Sequence, residues 1–383
     1  MTTQLSLAAG YQVILVGADQ AQTVAVRDQI NNIWDRQLAQ GILTADAHAA
    51  RGDALKVSTT LSDAKACDIF IDTTHRGHAA IAEVAKPGAV LALTSLPTGT
   101  LDVQSRRDDT VVLRFAAPLS RNPLVEVAVE HIETSPALPM AISFVQGLGK
   151  TPIPTGITSI ALGASLRAAM RYAAMELLCL GASPAQVDGA MRAFGFDQGV
   201  FQTIDQTGME AAANLHLVAG LGQHPQSVQI PLLQTLLDAG MAGQRSGAGF
   251  YVYPDEGASQ PNDAVGPHVA ALRAELGYAP RQVKAGEIAR RIWIALCNCG
   301  AELIAQGVAP DADTIDAIMV LGHGYPIRRG GPMASAEWAG LIQVVRDLKL
   351  LSGDNPFWTP SSAMLAANLD GQRFGRKSLQ QNA

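Results

Sequence analysis

Apolar and polar positions follow two rhythms in the first part of the chain. Residues 11–16 (YQVILV) are a short β-branched run closed by Gly17, the pattern of a buried strand. Over 21–38 the spacing turns helical, with Val24, Val26, Ile30, Ile33 and Leu38 as the apolar positions. Gly41 ends that helix, and Thr44 is placed to cap the next. Further buried strands are predicted at 67–73 (CDIFIDT), 89–93 and 111–115. Strands alternating with helices predict an α/β layer with a mostly parallel sheet.

Beyond Gly149-Lys150-Thr151-Pro152 the strand signal almost stops, and long helical patterns broken by Gly and Pro take over. This part repeats itself. Glu176-Leu177 is followed by Gly181, Pro184, Asp188, Met191 and Gly195; Glu302-Leu303 is followed by Gly307, Pro310, Asp316, Met319 and Gly322. Each copy then reaches an acid and a glycine three residues on, Asp205 with Gly208 and Glu337 with Gly340. The pattern predicts a duplicated helical domain, with Asp188 and Asp316 as equivalent helix caps. The boundaries expected are 1–150 for the sheet domain, 151–255 for the first helical domain, 256–279 for a polar linker region and 280–383 for the second helical domain.

Composition narrows the class. The chain has 383 residues, 48% of them apolar and 16% charged, enough for two or three cores, and its net charge is −6. No basic block points to nucleic acid or an anionic membrane, no run reaches spanning length, and no signal peptide is visible, so a cytoplasmic protein is expected. Cys67, Cys179, Cys297 and Cys299 are expected to be free thiols. His75 and His78 follow a strand end but find no third ligand nearby in sequence. His323 is expected in a turn, Arg328 and Arg329 in salt bridges across domains or a dimer interface, and Trp293, Trp338 and Trp358 as core or interface anchors.

Several segments resemble the 3-hydroxyacyl-CoA dehydrogenase family, in particular the dehydrogenase half of the bacterial multifunctional β-oxidation proteins. INNIWDRQLAQGILT (30–44), STTLSDAKACDIFID (58–72), GKTP (149–152), GQRSGAGFYVY (243–253) and GHGYPIRRGGP (322–332) follow one another in the family's order. The resemblance implies a Rossmann-like parallel-sheet domain, with or without its first strand, followed by two duplicated helical domains. It also implies NAD as cofactor where the activity is kept, acyl-CoA as ligand, and dimerisation through the helical domains.

The same resemblance exposes departures. The family's H-F-F-N-P followed by L-V-E-V holds a relay histidine and an orienting glutamate. Here Leu113 to Pro118 and Leu124 to Val127 keep the frame and Glu126, but Arg114 stands at the histidine and Ala117 at the asparagine. Ala164 stands at a second family asparagine, Ser95 at a substrate-contacting serine, and Arg76 near a second glutamate. No G-x-G-x-x-G turn is found. In one register residues 11–16 are the family's second strand and Gly17 stands at the ribose-binding acid, with Asp19 close by. In the other, Gly17 to Gln22 would be the phosphate turn, where Asp19 and Gln22 replace glycines. On length, the chain begins inside the family's first helix; a start farther upstream restores the cofactor turn but not a histidine at Arg114. Arginine stays protonated and does not serve as the base that histidine does. Arg114 is expected to pair with Glu126, or else to anchor a CoA phosphate or a substrate carboxylate. Two functions lead, with a different activity on CoA thioesters as a third. One is a catalytically degenerate subunit that partners an active paralogue and binds no NAD. The other is an active NAD-dependent dehydrogenase with a rearranged or shared site.

Overall fold

The computed structural model describes residues 2–74, 77–94, 106–158, 161–218, 228–353, 355–370 and 373–374. The chain divides into two compact units, Met1–Ile157 and Thr158–Ala383.

The first unit runs α1 (Thr2–Ala8), β1 (Val13–Val16), α2 (Gln20–Ala39), α3 (Ala45–Ala54), β2 (Leu55–Ser58), β3 (Ile69–Asp72), α4 (His78–Val84), β4 (Val90–Leu93), β5 (Thr110–Phe115), β6 (Leu124–Val129), α5 (Leu138–Gly147) and β7 (Thr151–Gly156). Strands β3 to β7 form one sheet in sequence order, parallel except for the antiparallel β5–β6 pair. Strands β1 and β2 form a separate parallel pair. Among the described residues no strand bridges β1 and β3. Instead Ile14 and Val16 of β1 pack against a cluster that holds Phe70, Leu91 and Ala64. The main core lies between β4–β6 and α5, where Val111, Leu113, Val125 and Val127 meet Ala141, Phe144 and Val145.

The predicted strands and the long helix form close to their expected bounds. Thr44 caps α3 by accepting from the Ala47 amide at 3.2 Å. Three strands, β2, β6 and β7, were not singled out by pattern. In β7, Pro152 and Pro154 alternate with Thr151, Ile153 and Thr155. The missing N–H groups then face the open edge, the one side of a sheet where proline is tolerated.

The second unit is nearly all helix. Its first half holds α6 (Leu162–Cys179), α7 (Pro184–Phe194), α8 (Val200–Thr207), α9 (Met209–Val218), α10 (Gln229–Asp238) and a small pair, β8 (Tyr251–Val252) with β9 (Gln260–Pro261). The segment expected to be linker carries β9 and an eleven-residue helix, α11 (Val265–Glu275). The second half holds α12 (Ala285–Ala305), α13 (Ala312–Gly322), α14 (Pro332–Ala339), α15 (Leu341–Ser352) and α16 (Ser362–Leu369).

The duplication extends to individual hydrogen bonds. Asp188 accepts from the amides of Phe201 and Gln202 at the start of α8, at 2.9 and 3.0 Å. Asp316 accepts from those of Met333 and Ala334 at the start of α14, at 2.7 and 2.9 Å. Each acid therefore caps the next helix of its own repeat rather than the helix that carries it. The residue before each capped helix is Gly199 or Gly331, where any Cβ would overlap the carboxylate-bearing side chain. Asp205 accepts from the Phe250 amide at 3.0 Å, and its counterpart Glu337 accepts from Phe374 at 2.9 Å.

The repeats pack on each other inside one chain, α6 along α12, α7 on α12 and α13 on α6. Arg329 crosses between them, and among the described residues it does so without a salt bridge. Its guanidinium lies 3.9 Å over the Phe194 ring and its Nε donates to the Phe194 carbonyl at 3.0 Å. Glu176, Asn355 and Trp358 form a second, buried crossing. Trp358 and Trp293 are buried, whereas Trp338 is 71% exposed and anchors no core. Replacing Asp316 by alanine strands two amides at the start of α14. It is expected to lower the unfolding free energy by about 2–4 kcal/mol in urea denaturation.

Candidate functional site

The register of β5 on β6 places Arg114 directly opposite Glu126. Both side chains point to the sheet face that also carries Val112 and Ala128, away from α5. They are 9% and 2% exposed. Burial pulls the Arg114 pKa down from its ordinary value and the Glu126 carboxylate pulls it back up. The pair is thus a guanidinium held in a sheet interior by an opposing carboxylate. Its arginine does not serve as a base near neutral pH.

The loop after β5 is held by other residues. Ala117 is exposed and its carbonyl accepts from Asn122 at 3.1 Å; the Ala117–Pro118 peptide is cis. Lys150, from the GKTP segment, donates to the carbonyls of Leu119 and Asn122 at 2.6 and 2.8 Å. Ala117 brings no side-chain hydrogen-bonding atom to this loop. Ala164 lies in the other unit, in the first turn of α6, and likewise presents only a methyl group. Ser95, His75 and Arg76 lie outside the described residues.

Gly17 and Asp19 sit together at the end of β1. A Cβ at Gly17 would overlap the Thr23 hydroxyl, which is buried and donates to the Asp19 carbonyl at 2.6 Å. Thr23 thus leaves no room for a side chain at position 17 without its own displacement. Asp19 is the N-cap of α2 and its carboxylate accepts from the Gln22 amide at 2.7 Å. The end of α2 that would receive a phosphate already holds a carboxylate of its own chain.

One residue escaped the sequence reading. Asp72, 5% exposed, closes β3 and accepts from the Thr74 amide and hydroxyl, both at 2.8 Å, and from the Gly77 amide at 3.1 Å. Its signal was an acid ending an otherwise apolar strand, at the strand C-terminus where parallel-sheet sites gather. His78 is half-buried, and burial lowers its pKa. Among the described residues no group of three His, Cys, Asp or Glu side chains comes together as metal ligands. The four cysteines are free, Cys179 and Cys297 buried and the other two half-buried. No described helix is long and apolar enough to cross a membrane.

A Rossmann-like sheet followed by a helical unit defines a dehydrogenase type of fold. The model for the NAD binding domain of 3-hydroxyacyl-CoA dehydrogenase matches residues 1–158, and that for its C-terminal domain matches 164–253. The chain belongs to the 3-hydroxyacyl-CoA dehydrogenase family. It is 28% identical to the peroxisomal bifunctional enzyme of Danio rerio, over 82% of this chain and 48% of that protein. It is 25% identical to the fatty acid oxidation complex subunit alpha of Vibrio cholerae, over 82% of this chain and 45% of that protein. The chain thus spans about half the length of these curated relatives. Among solved structures, 3-hydroxybutyryl-CoA dehydrogenase from Escherichia coli K12 superposes with a TM-score of 0.79 at 18% identity, covering 97% of this chain and 96% of that one. The dehydrogenase part of multifunctional enzyme 1 from C. elegans gives 0.67 at 19%, covering 96% and 86%. At these identities the likeness carries the fold.

Glu126→Gln leaves the Arg114 charge buried without its carboxylate and is expected to cost about 3–5 kcal/mol in chemical denaturation. The double variant Arg114→Met/Glu126→Met is expected to regain most of that loss. A single variant as stable as the parent would show that the pair does not hold the two strands.

Proposed function

We propose that this chain is a 3-hydroxyacyl-CoA dehydrogenase-like component of fatty acid oxidation in which catalysis has been lost, and that it supports an active dehydrogenase. The observation that carries this reading is Arg114 opposite Glu126. Oxidising a 3-hydroxyl group requires a base of pKa near working pH to take the alcohol proton as hydride leaves. At the position where the resemblance calls for that base, the chain carries a permanently charged guanidinium facing a carboxylate. Two further observations support it. Asp19 and Thr23 occupy the places where a dinucleotide would need an open helix end and a ribose-binding acid. Ala117 and Ala164 bring methyl groups where the family brings amides.

The scaffold, by contrast, is kept. Both helical repeats retain their capping acids and mutual packing, which favours a role in assembly or acyl-CoA binding over chemistry. Calorimetric titration of the folded chain with NADH is expected to give no binding heat up to millimolar concentration. Micromolar binding would overturn the reading and favour an active enzyme with a rearranged site. Arg114→His with Ala117→Asn is expected to leave 3-hydroxybutyryl-CoA oxidation undetectable, because the cofactor side stays closed.

A further inference from the structure

Two arginines and a histidine in the second unit have no part in that reading. Arg167 and Arg171 lie one turn apart on α6, and His323 is the C-cap of α13. They meet at one corner. Both guanidinium groups act on His323, which together with burial lowers the imidazole pKa well below its ordinary value. Gly163, one turn before Arg167, brings the α6 backbone so close that a methyl there would overlap His323 Nε2. Arg171 is 2% exposed. Among the described residues, neither its Nη2 nor His323 Nε2 has a hydrogen-bond partner.

Charge balance separates this corner from other buried arginines. Arg114 faces Glu126, and Arg291 lies 3.5 Å from Glu176. The charged group that acts on Arg171 is Arg167, another cation, and burial with that repulsion brings its pKa down to about 9. Taking a guanidinium out of water without an anion is strongly unfavourable.

The duplication supplies an independent comparison. With Glu176 aligned to Glu302, Arg167 and Arg171 correspond to Trp293 and Cys297. These two residues are uncharged and their polar atoms are satisfied; the neighbouring Arg290, 4.5 Å over the Trp293 ring, has the carboxylate of Asp347 as its partner at 2.8 Å. Trp293 Nε1 donates to Ser335 Oγ at 2.8 Å, and the Cys297 thiol donates to the Pro332 carbonyl at 3.2 Å. One copy of the fold therefore fills these two positions without cations, so helix packing does not demand them in the other.

We propose that Arg171, with Arg167 and His323, forms an oxyanion site between the two helical repeats that takes a carboxylate or phosphate group of a ligand. A guanidinium presents paired N–H donors to either group, and a neutral imidazole adds one more. The site is separate from the Arg114–Glu126 pair and stands whether or not the chain is catalytic.

The test is thermal unfolding of the full chain in sodium chloride, inorganic phosphate and glutarate at matched ionic strength, which removes general screening. A specific anion stabilises the folded state in proportion to its occupancy. At least one of the two oxyanions is expected to raise the wild-type Tm in a saturable way over chloride. A response to phosphate alone assigns a phosphate-bearing ligand, and one to glutarate a carboxylate-bearing one. In Arg171→Met that response is expected to vanish, while in chloride the variant unfolds no lower than the parent, since an uncompensated buried charge is gone. Arg171→Lys keeps the charge but not the paired donors, and calorimetry should show binding weakened about tenfold or more. Equal wild-type Tm in all three salts would overturn the proposal. So would an oxyanion response or affinity that the methionine or lysine variant retains in full.

Discussion

A buried carboxylate that caps the start of a neighbouring helix organises each helical repeat, and it does so twice. Asp188 and Asp316 sit on α7 and α13, nearly sealed from solvent, and each takes two amides from the first turn of the helix that follows. The amides at a helix start have no partner within their helix and carry a partial positive charge. An anion placed there satisfies the amides and its own desolvation together. The cost is steric, since the chain must approach the acid without a side chain, and Gly199 and Gly331 are the result. Once these corners are set, the long helices α6 and α12 pack along each other and the repeats close into one unit.

The sheet unit resolves its charges in the same way, with partners from its own chain. Arg114 is answered by Glu126 across two strands, Asp19 by the amide of Gln22, and Asp72 by Thr74 and Gly77. Here each pairing is internal to the sheet unit. Arg171 is the counterexample, a buried cation acted on by a second cation.

Periodicity made much of this architecture legible. The long helix after Gly17, the strands ending at Asp72, Leu93 and Phe115, and the repeat anchored on Glu176 and Glu302 all rest on local spacing, which the structure repeats with small shifts in their ends. β2 and β7 were harder to see. Leu55–Ser58 is short and half-exposed, and Thr151–Gly156 carries two prolines that only an open sheet edge accommodates. Trp338 reads as a core or interface anchor by its chemistry, and its place on α14 leaves it exposed, outside the core.

The sequence by itself determined the order of elements, the duplication, the family frame and the presence of Arg114 and Glu126 within it, because each depends on which residues stand at which spacing along the chain. Only the tertiary structure decided what those residues face. The β5–β6 register set Arg114 against Glu126, the turn after β1 put the Thr23 hydroxyl where an acid at position 17 would go, and the closure of α13 on α6 brought His323 to two arginines about 150 residues away. Contacts between distant segments follow from packing and strand register, which no local pattern encodes.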